Sequence, residues 1–168
     1  ASGGLLGSDP SVGEVNYWYA QLERASASFA TLVEFALIQL GSGLKRKEKL
    51  SNRFADIMGE MYLMSCALKR FEDDGRPDVD LPVLEFAFQN SLHTIYIRCD
   101  EIIANLPSRP SAWVLRRLIF PWGRRWRRAF DELGTEVSNL LVTSPSFRSR
   151  LCAGMYFNDS LGDVIGCL

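Results

Sequence analysis

Residues 44–76, LKRKEKLSNRFADIMGEMYLMSCALKRFEDDGR, decide the fold. Lys45, Arg46, Lys47 and Lys49 lead into apolar residues at Leu50, Phe54, Ile57, Met61, Met64, Leu68 and Phe71, spaced alternately by four and three. That alternation is the period of an α-helix facing other helices, expected here over 45–71. Gly75 and Pro77 then end it. Such a stripe is core whether or not chemistry accompanies it.

Upstream, the spacing predicts a first long helix over 12–40, with a stripe at Val15, Trp18, Leu22, Ala25, Phe29, Leu32 and Ala36. Ser11 followed by Glu14 is the pattern of a capping box at its start. Gly41 and Gly43 break it, and so short a linker makes the first two helices an antiparallel pair. Downstream, a third helix is expected over 81–104, with Pro82 tolerated in its first turn and Leu84, Phe88, Leu92, Ile95, Cys99 and Ile102 on its seam. Pro107, Pro110 and Pro121 divide the rest of the chain into shorter pieces, and Ser144 with Pro145 marks the start of another short helix. The chain is therefore expected to be all-α, an antiparallel bundle of three long helices with shorter C-terminal helices. Its divisions are a flexible segment over 1–11, the bundle over 12–106, and a basic-aromatic and short-helix region over 107–168.

A chain of 168 residues suits one compact core, since domains of about 100 to 150 residues are commonest. Both ends read as cut, the first because ASGGLLGSDP opens without Met, the second because an apolar run at Val164 to Leu168 has no continuation. The net charge of -1 does not advertise a nucleic-acid binder. The charge is nonetheless segregated. Glu72, Asp73, Asp74, Asp78, Asp80 and Glu85 form an acidic stretch relieved by Arg76, and Arg109, Arg116, Arg117, Arg124, Arg125, Arg127 and Arg128 form a basic one. Cys66, Cys99, Cys152 and Cys167 have no metal-ligand spacing and read as reduced thiols, with Cys66 and Cys99 acting as small hydrophobes in their helices. With no signal peptide and no apolar run of about eighteen residues, any membrane contact is expected to be peripheral.

The best candidate for a contact surface is 112–130, AWVLRRLIFPWGRRWRRAF. Trp113, Arg116 and Arg117 precede Pro121, and Trp122, Arg124, Arg125, Trp126, Arg127 and Arg128 follow it. Spacing by four would set Trp122, Trp126 and Phe130 on one helix face with arginines beside them. Rings settle at headgroup depth while guanidinium groups meet anionic lipid, so this is what an interfacial helix needs. The same pattern also suits aromatics packed onto the bundle, with arginines solvated or paired to Glu132, Glu136 or the acidic loop. Stacking on single-stranded nucleic acid would use the same residue types but a more extended basic footprint. The acidic loop lacks the ligand spacing of a calcium site and reads as a solvated turn, in which Asp73 and Asp74 need a partner at the negative helix end, Arg70, Arg76 or an arginine of the basic segment. His93, the only histidine, has no second ligand or nucleophile placed beside it by sequence. No catalytic, cofactor-binding or metal-ligating residue is expected in this chain.

The blocks LKRKEKLSNRFADI, MYLMSCALKRFEDDGR, DLPVLEFAFQNSL and NLPSRPSAWVLRRLIFPWGRR, in that order, resemble the C-terminal region of bacterial-type fatty acyl-CoA dehydrogenases. The resemblance runs from about Val15 to the end. It implies a parent enzyme that uses FAD to convert a fatty acyl-CoA to the trans-2-enoyl-CoA in β-oxidation, with flavin and catalytic glutamate in an upstream module. It further implies that module as partner, a homo-oligomeric parent, a cytoplasmic location and placement on the inner membrane face, as for the extra C-terminal helices of very-long-chain acyl-CoA dehydrogenases. An independent helical interaction module is the alternative.

Overall fold

The computed structural model describes residues 13–121, 123 and 127–154. These form helices with no strand among them: α1 (Gly13–Leu40), α2 (Glu48–Asp73), α3 (Leu81–Ala104), α4 (Arg109–Ile119), α5 (Asp131–Thr143) and α6 (Pro145–Leu151). Short 3-10 turns occupy Gly41–Arg46 and Asp78–Asp80. The all-α expectation holds, and α3 has the bounds its sequence predicts. By contrast α2 begins at Glu48, because Gly41 turns the chain through a left-handed conformation (φ 50) and Lys47 (ψ 68) is not yet helical. Lys45, Arg46 and Lys47 thus sit ahead of the helix. Its positive end would repel them in the first turn.

The far end of α2 closes in a Schellman motif. Gly75 takes φ 82, its N–H donates to Glu72 O at 3.0 Å, and Arg76 N–H donates to Phe71 O at 2.9 Å. The acids that oppose the helix dipole there are met by neighbours one turn away: Asp73 by Lys69, Asp74 by Arg70 at 3.6 Å, and Glu72 by Arg76 at 2.8 Å.

Two compact units make up the chain, Ala1–Phe130 and Asp131–Leu168, so the division falls after Phe130, and α4 belongs with the long helices. In the first unit the sequence stripes become the core. Ala25, Leu32 and Ala36 of α1, Ile57, Met64 and Leu68 of α2, and Phe88, Ile95, Cys99 and Ile102 of α3 are all buried. Phe54 and Met61, expected on the same seam, are half-buried at its margin.

Cross-helix contacts fix the directions. Phe29 meets Phe54 with ring centroids 6.0 Å apart, and Trp18 meets Phe88 at 4.9 Å. Arg98 bridges Asp56 (2.9 Å) and Glu101 (2.9 Å), and Arg53 reaches Glu101 at 2.8 Å. Rising numbers on α1 and α3 therefore meet falling numbers on α2, an up-down-up bundle. Next, α4 turns back along α3, with Arg116 on Asp100 at 3.1 Å and Phe120 against Tyr96 at 5.7 Å.

By length and composition, α1 with its following turn (Val15–Arg46) is apolar enough to cross a membrane. The helix holds no unbroken apolar run of that length, because Gln21, Glu23, Arg24 and Glu34 as well as Ser26, Ser28, Thr31 and Gln39 interrupt it. One face of α1 is nevertheless committed to the bundle, with Gln21 and Ser28 buried beside its stripe.

In the second unit α5 and α6 pack on one another, with Val137 and Phe147 buried. Ser144 and Pro145 start α6 as expected, although the Ser144 side chain caps no backbone N–H there. The helix expected to carry Trp122, Trp126 and Phe130 does not extend through the described part of its range. Residues 127–130 are non-helical, Gly123 adopts φ 81, and the next helix starts at Asp131. Ser11, Trp122, Arg124, Arg125, Trp126 and Cys167 lie outside the described residues.

Candidate functional site

The helix α4 has an apolar inward edge and an apolar outward face. Leu115 and Ile119, four residues apart, are buried on the bundle side. Half a turn away, Trp113 is 67% exposed and Leu118 61% exposed, with Val114 exposed between them and Arg117 on the same face. Packing explains the inward edge only. Arg116, at the boundary, is held by Asp100, yet its side chain stays 45% exposed.

The start of α4 is tied to the end of α1. Gln39 Nε2 donates to Ser111 Oγ at 2.7 Å, and Gln39 Oε1 accepts from the Ser108 N–H at 3.4 Å. Ser111 Oγ in turn donates to Ser108 O at 2.8 Å. This joint brings the exposed Leu37 and Ile38 of α1 to the same end of the bundle as Trp113. The same end holds the connector into α2, with Lys45, Arg46, Lys47 and Lys49 all exposed. None of these four, nor Arg109 or Arg117, is in an ion pair among the described residues.

The bundle is therefore polarised along its length. One end gathers bases and exposed apolar side chains, and the other carries the acids of 72–80. Sequence reasoning found the arginines of 109–128 but missed Lys45 to Lys49 as their companions, because some sixty residues separate the two segments. It also missed Leu37 and Ile38, which continue the apolar pattern of α1 without belonging to its buried stripe. Of the residues named from sequence, Trp113 and Arg117 share the outward face, Arg116 borders it, and Arg127 and Arg128 are exposed in non-helical chain. Positions 122 and 124–126 lie outside the described residues.

Elsewhere the titratable groups are structural. Burial pushes the Tyr96 hydroxyl up to about 12, and burial followed by the Asp100 carboxylate pushes the Cys99 thiol up to about 12. Burial also raises Glu101, but hydrogen bonds from Arg98 and Arg53 outweigh it and hold that carboxyl below its ordinary range. Cys99 is a buried small hydrophobe as expected, whereas Cys66 lies exposed on α2.

The described grooves do not fit a flavin dinucleotide. The α5 groove is lined by Asp131, Glu132 and Glu136, which would repel a pyrophosphate. The groove between α1 and α2, about 500 Å³, carries Glu23 and no base. The hollow where α4 meets the end of α3 offers Arg109 and Arg116 but only about 180 Å³, below the several hundred typical of cofactor sites.

A family model described as acyl-CoA dehydrogenase, C-terminal, bacterial type, matches residues 1–168. No solved structure matches the chain.

Proposed function

The chain belongs to the C-terminal family of bacterial-type acyl-CoA dehydrogenases, and from that premise we propose that it is the helical accessory domain of an FAD-dependent fatty acyl-CoA dehydrogenase. The parent would oxidise the Cα–Cβ bond of a fatty acyl-CoA to the trans-2-enoyl-CoA in β-oxidation, with flavin and glutamate base supplied by an upstream dehydrogenase module. This domain packs on that module, supports a homo-oligomer, and sets the cytoplasmic enzyme against the inner face of the membrane.

The observation that carries the membrane reading is the outward face of α4. Trp113, Val114 and Leu118 beside Arg117, with Leu37, Ile38 and the four bases of 45–49 at the same end, combine apolar area with positive charge that no ion pair occupies among the described residues. An anionic bilayer rewards both, the first by burial and the second by about 1 kcal/mol per base near the surface. A soluble domain without a partner has no use for such a patch.

Co-sedimentation of the purified chain with phosphatidylserine-containing vesicles tests the proposal. The parent sequence is expected to pellet at low salt, with binding lost in Trp113→Ala/Leu118→Ser and reduced in Lys45→Gln/Lys47→Gln/Arg117→Gln. Absence of binding by the parent sequence at low salt would contradict membrane placement and favour a protein partner for the same face, as an independent interaction module would have.

A further inference from the structure

The hollow where α4 leaves the end of α3 joins an apolar floor to two bases. Ile103 and Leu106, both buried, and the half-buried Ala112 form the floor. Arg109, Trp113 and Arg116 line it from α4, and their spacing of four and three sets them along one face of that helix. Arg109 and Trp113 are exposed, so the hollow opens onto the same surface as the outward face of α4. No carboxylate lines it. Arg116 Nη2 is fixed by Asp100 Oδ1 at 3.1 Å, but a guanidinium carries five N–H donors, more than the two that a bidentate carboxylate takes. Arg109 is in no ion pair among the described residues. The positive end of α4 lies beside it, where the Ser108 side chain caps no backbone N–H. Packing within the domain uses the floor and leaves the bases, the indole and the space between them unused.

We propose that this hollow receives the phosphate of a membrane lipid whose headgroup is a bare phosphomonoester, as in phosphatidic acid. The inference rests on the membrane placement proposed above and names the lipid chemistry recognised there. Volume separates the headgroups. About 180 Å³ is the room of roughly six water molecules, enough for a phosphate and the first carbons of its glycerol but not for a serine beyond the phosphate as well. Charge favours the same lipid, because a phosphomonoester carries about -1.5 to -2 near pH 7, whereas a phosphodiester carries a single charge. Two guanidinium groups from one helix face match the larger charge. The floor of Ile103, Leu106 and Ala112 then meets glycerol and the start of the acyl chains, while Trp113 lies at headgroup depth. A soluble phosphate would use the bases but neither the floor nor the exposed indole.

Co-sedimentation of the purified chain with phosphatidylcholine vesicles carrying either phosphatidic acid or phosphatidylserine, at matched surface charge, tests it. Binding to phosphatidic acid should be about tenfold tighter, the effect of one added charge-assisted hydrogen bond. Ala104→Leu fills the hollow from its exposed rim and removes no charge. It should bring phosphatidic acid binding down to the phosphatidylserine level and leave the latter unchanged. Arg109→Gln should narrow the difference as well, and helical circular dichroism should be unchanged in both variants because both positions are exposed. Equal binding of the two lipids by the parent sequence, or a preference that survives Ala104→Leu, would overturn the phosphate site while membrane placement stands. Binding to neither lipid would overturn both. Calorimetric binding of inorganic phosphate that Ala104→Leu abolishes, in a chain without lipid preference, would assign the hollow to a soluble phosphate and overturn the lipid.

Discussion

Helix α3 and helix α4 spend their apolar residues differently. Along α3, Leu84, Phe88, Leu92, Ile95, Tyr96, Cys99, Ile102 and Ile103 are all buried, and only Ile97 among its large apolar side chains is exposed. In less than half that length, α4 buries Leu115 and Ile119 and leaves Trp113, Val114 and Leu118 in solvent. The first helix is accounted for by the domain's own core. The second is accounted for only if something outside the domain meets it.

That contrast can be broken by paired substitutions, and the largest effect is expected in α3. Phe88→Ala removes a fully buried ring that packs on Trp18 and should cost about 3–5 kcal/mol in urea unfolding. Leu115→Ala, at the inward edge of α4, should cost about 2–4 kcal/mol. Losses confined to Leu115→Ala, with none at Phe88, would mean that the core is centred elsewhere than on α3.

A smaller effect is expected where the α2–α3 seam is tied by charge. Glu101→Gln removes the shared acceptor of Arg53 and Arg98, costing roughly 1 kcal/mol because the pairs are partly exposed. The native carboxyl of Glu101 lies below its ordinary range. Its contribution to stability is therefore full above the unfolded carboxylate pKa and is lost as pH falls through the lowered native value. Urea midpoints measured down an acid series should fall more steeply for the parent sequence than for Glu101→Gln. Thiol labelling sharpens the same comparison without changing stability. Exposed Cys66 should react at neutral pH, while Cys99, buried and pushed up to about 12, should react only on unfolding.

The bundle was legible because period and punctuation agree. The four-three stripe of 50–71 and Pro82 in the first turn of α3 gave the long helices their faces and, for α3, its bounds. The start of α2 was displaced because the conformation at Gly41 and Lys47 is set by the turn and leaves no mark on the apolar period. The surface was legible only in part. Trp113 and Arg117 were visible as residue types that suit an interface, but Leu115 and Leu118 are chemically identical in sequence, and only the packing of α4 on α3 tells inward from outward. The company of Lys45 with Arg117 arises from the turn between α1 and α2 and the Gln39 joint to α4, a tertiary fact with no local signal.

The most direct measurement is urea unfolding and vesicle co-sedimentation of Trp113→Ala/Leu118→Ala from one preparation. If the outward face of α4 serves a contact outside the domain, stability should stay within about 0.5 kcal/mol of the parent while vesicle binding is lost. A fall in stability as large as that of Leu115→Ala, or vesicle binding left intact, would contradict that claim.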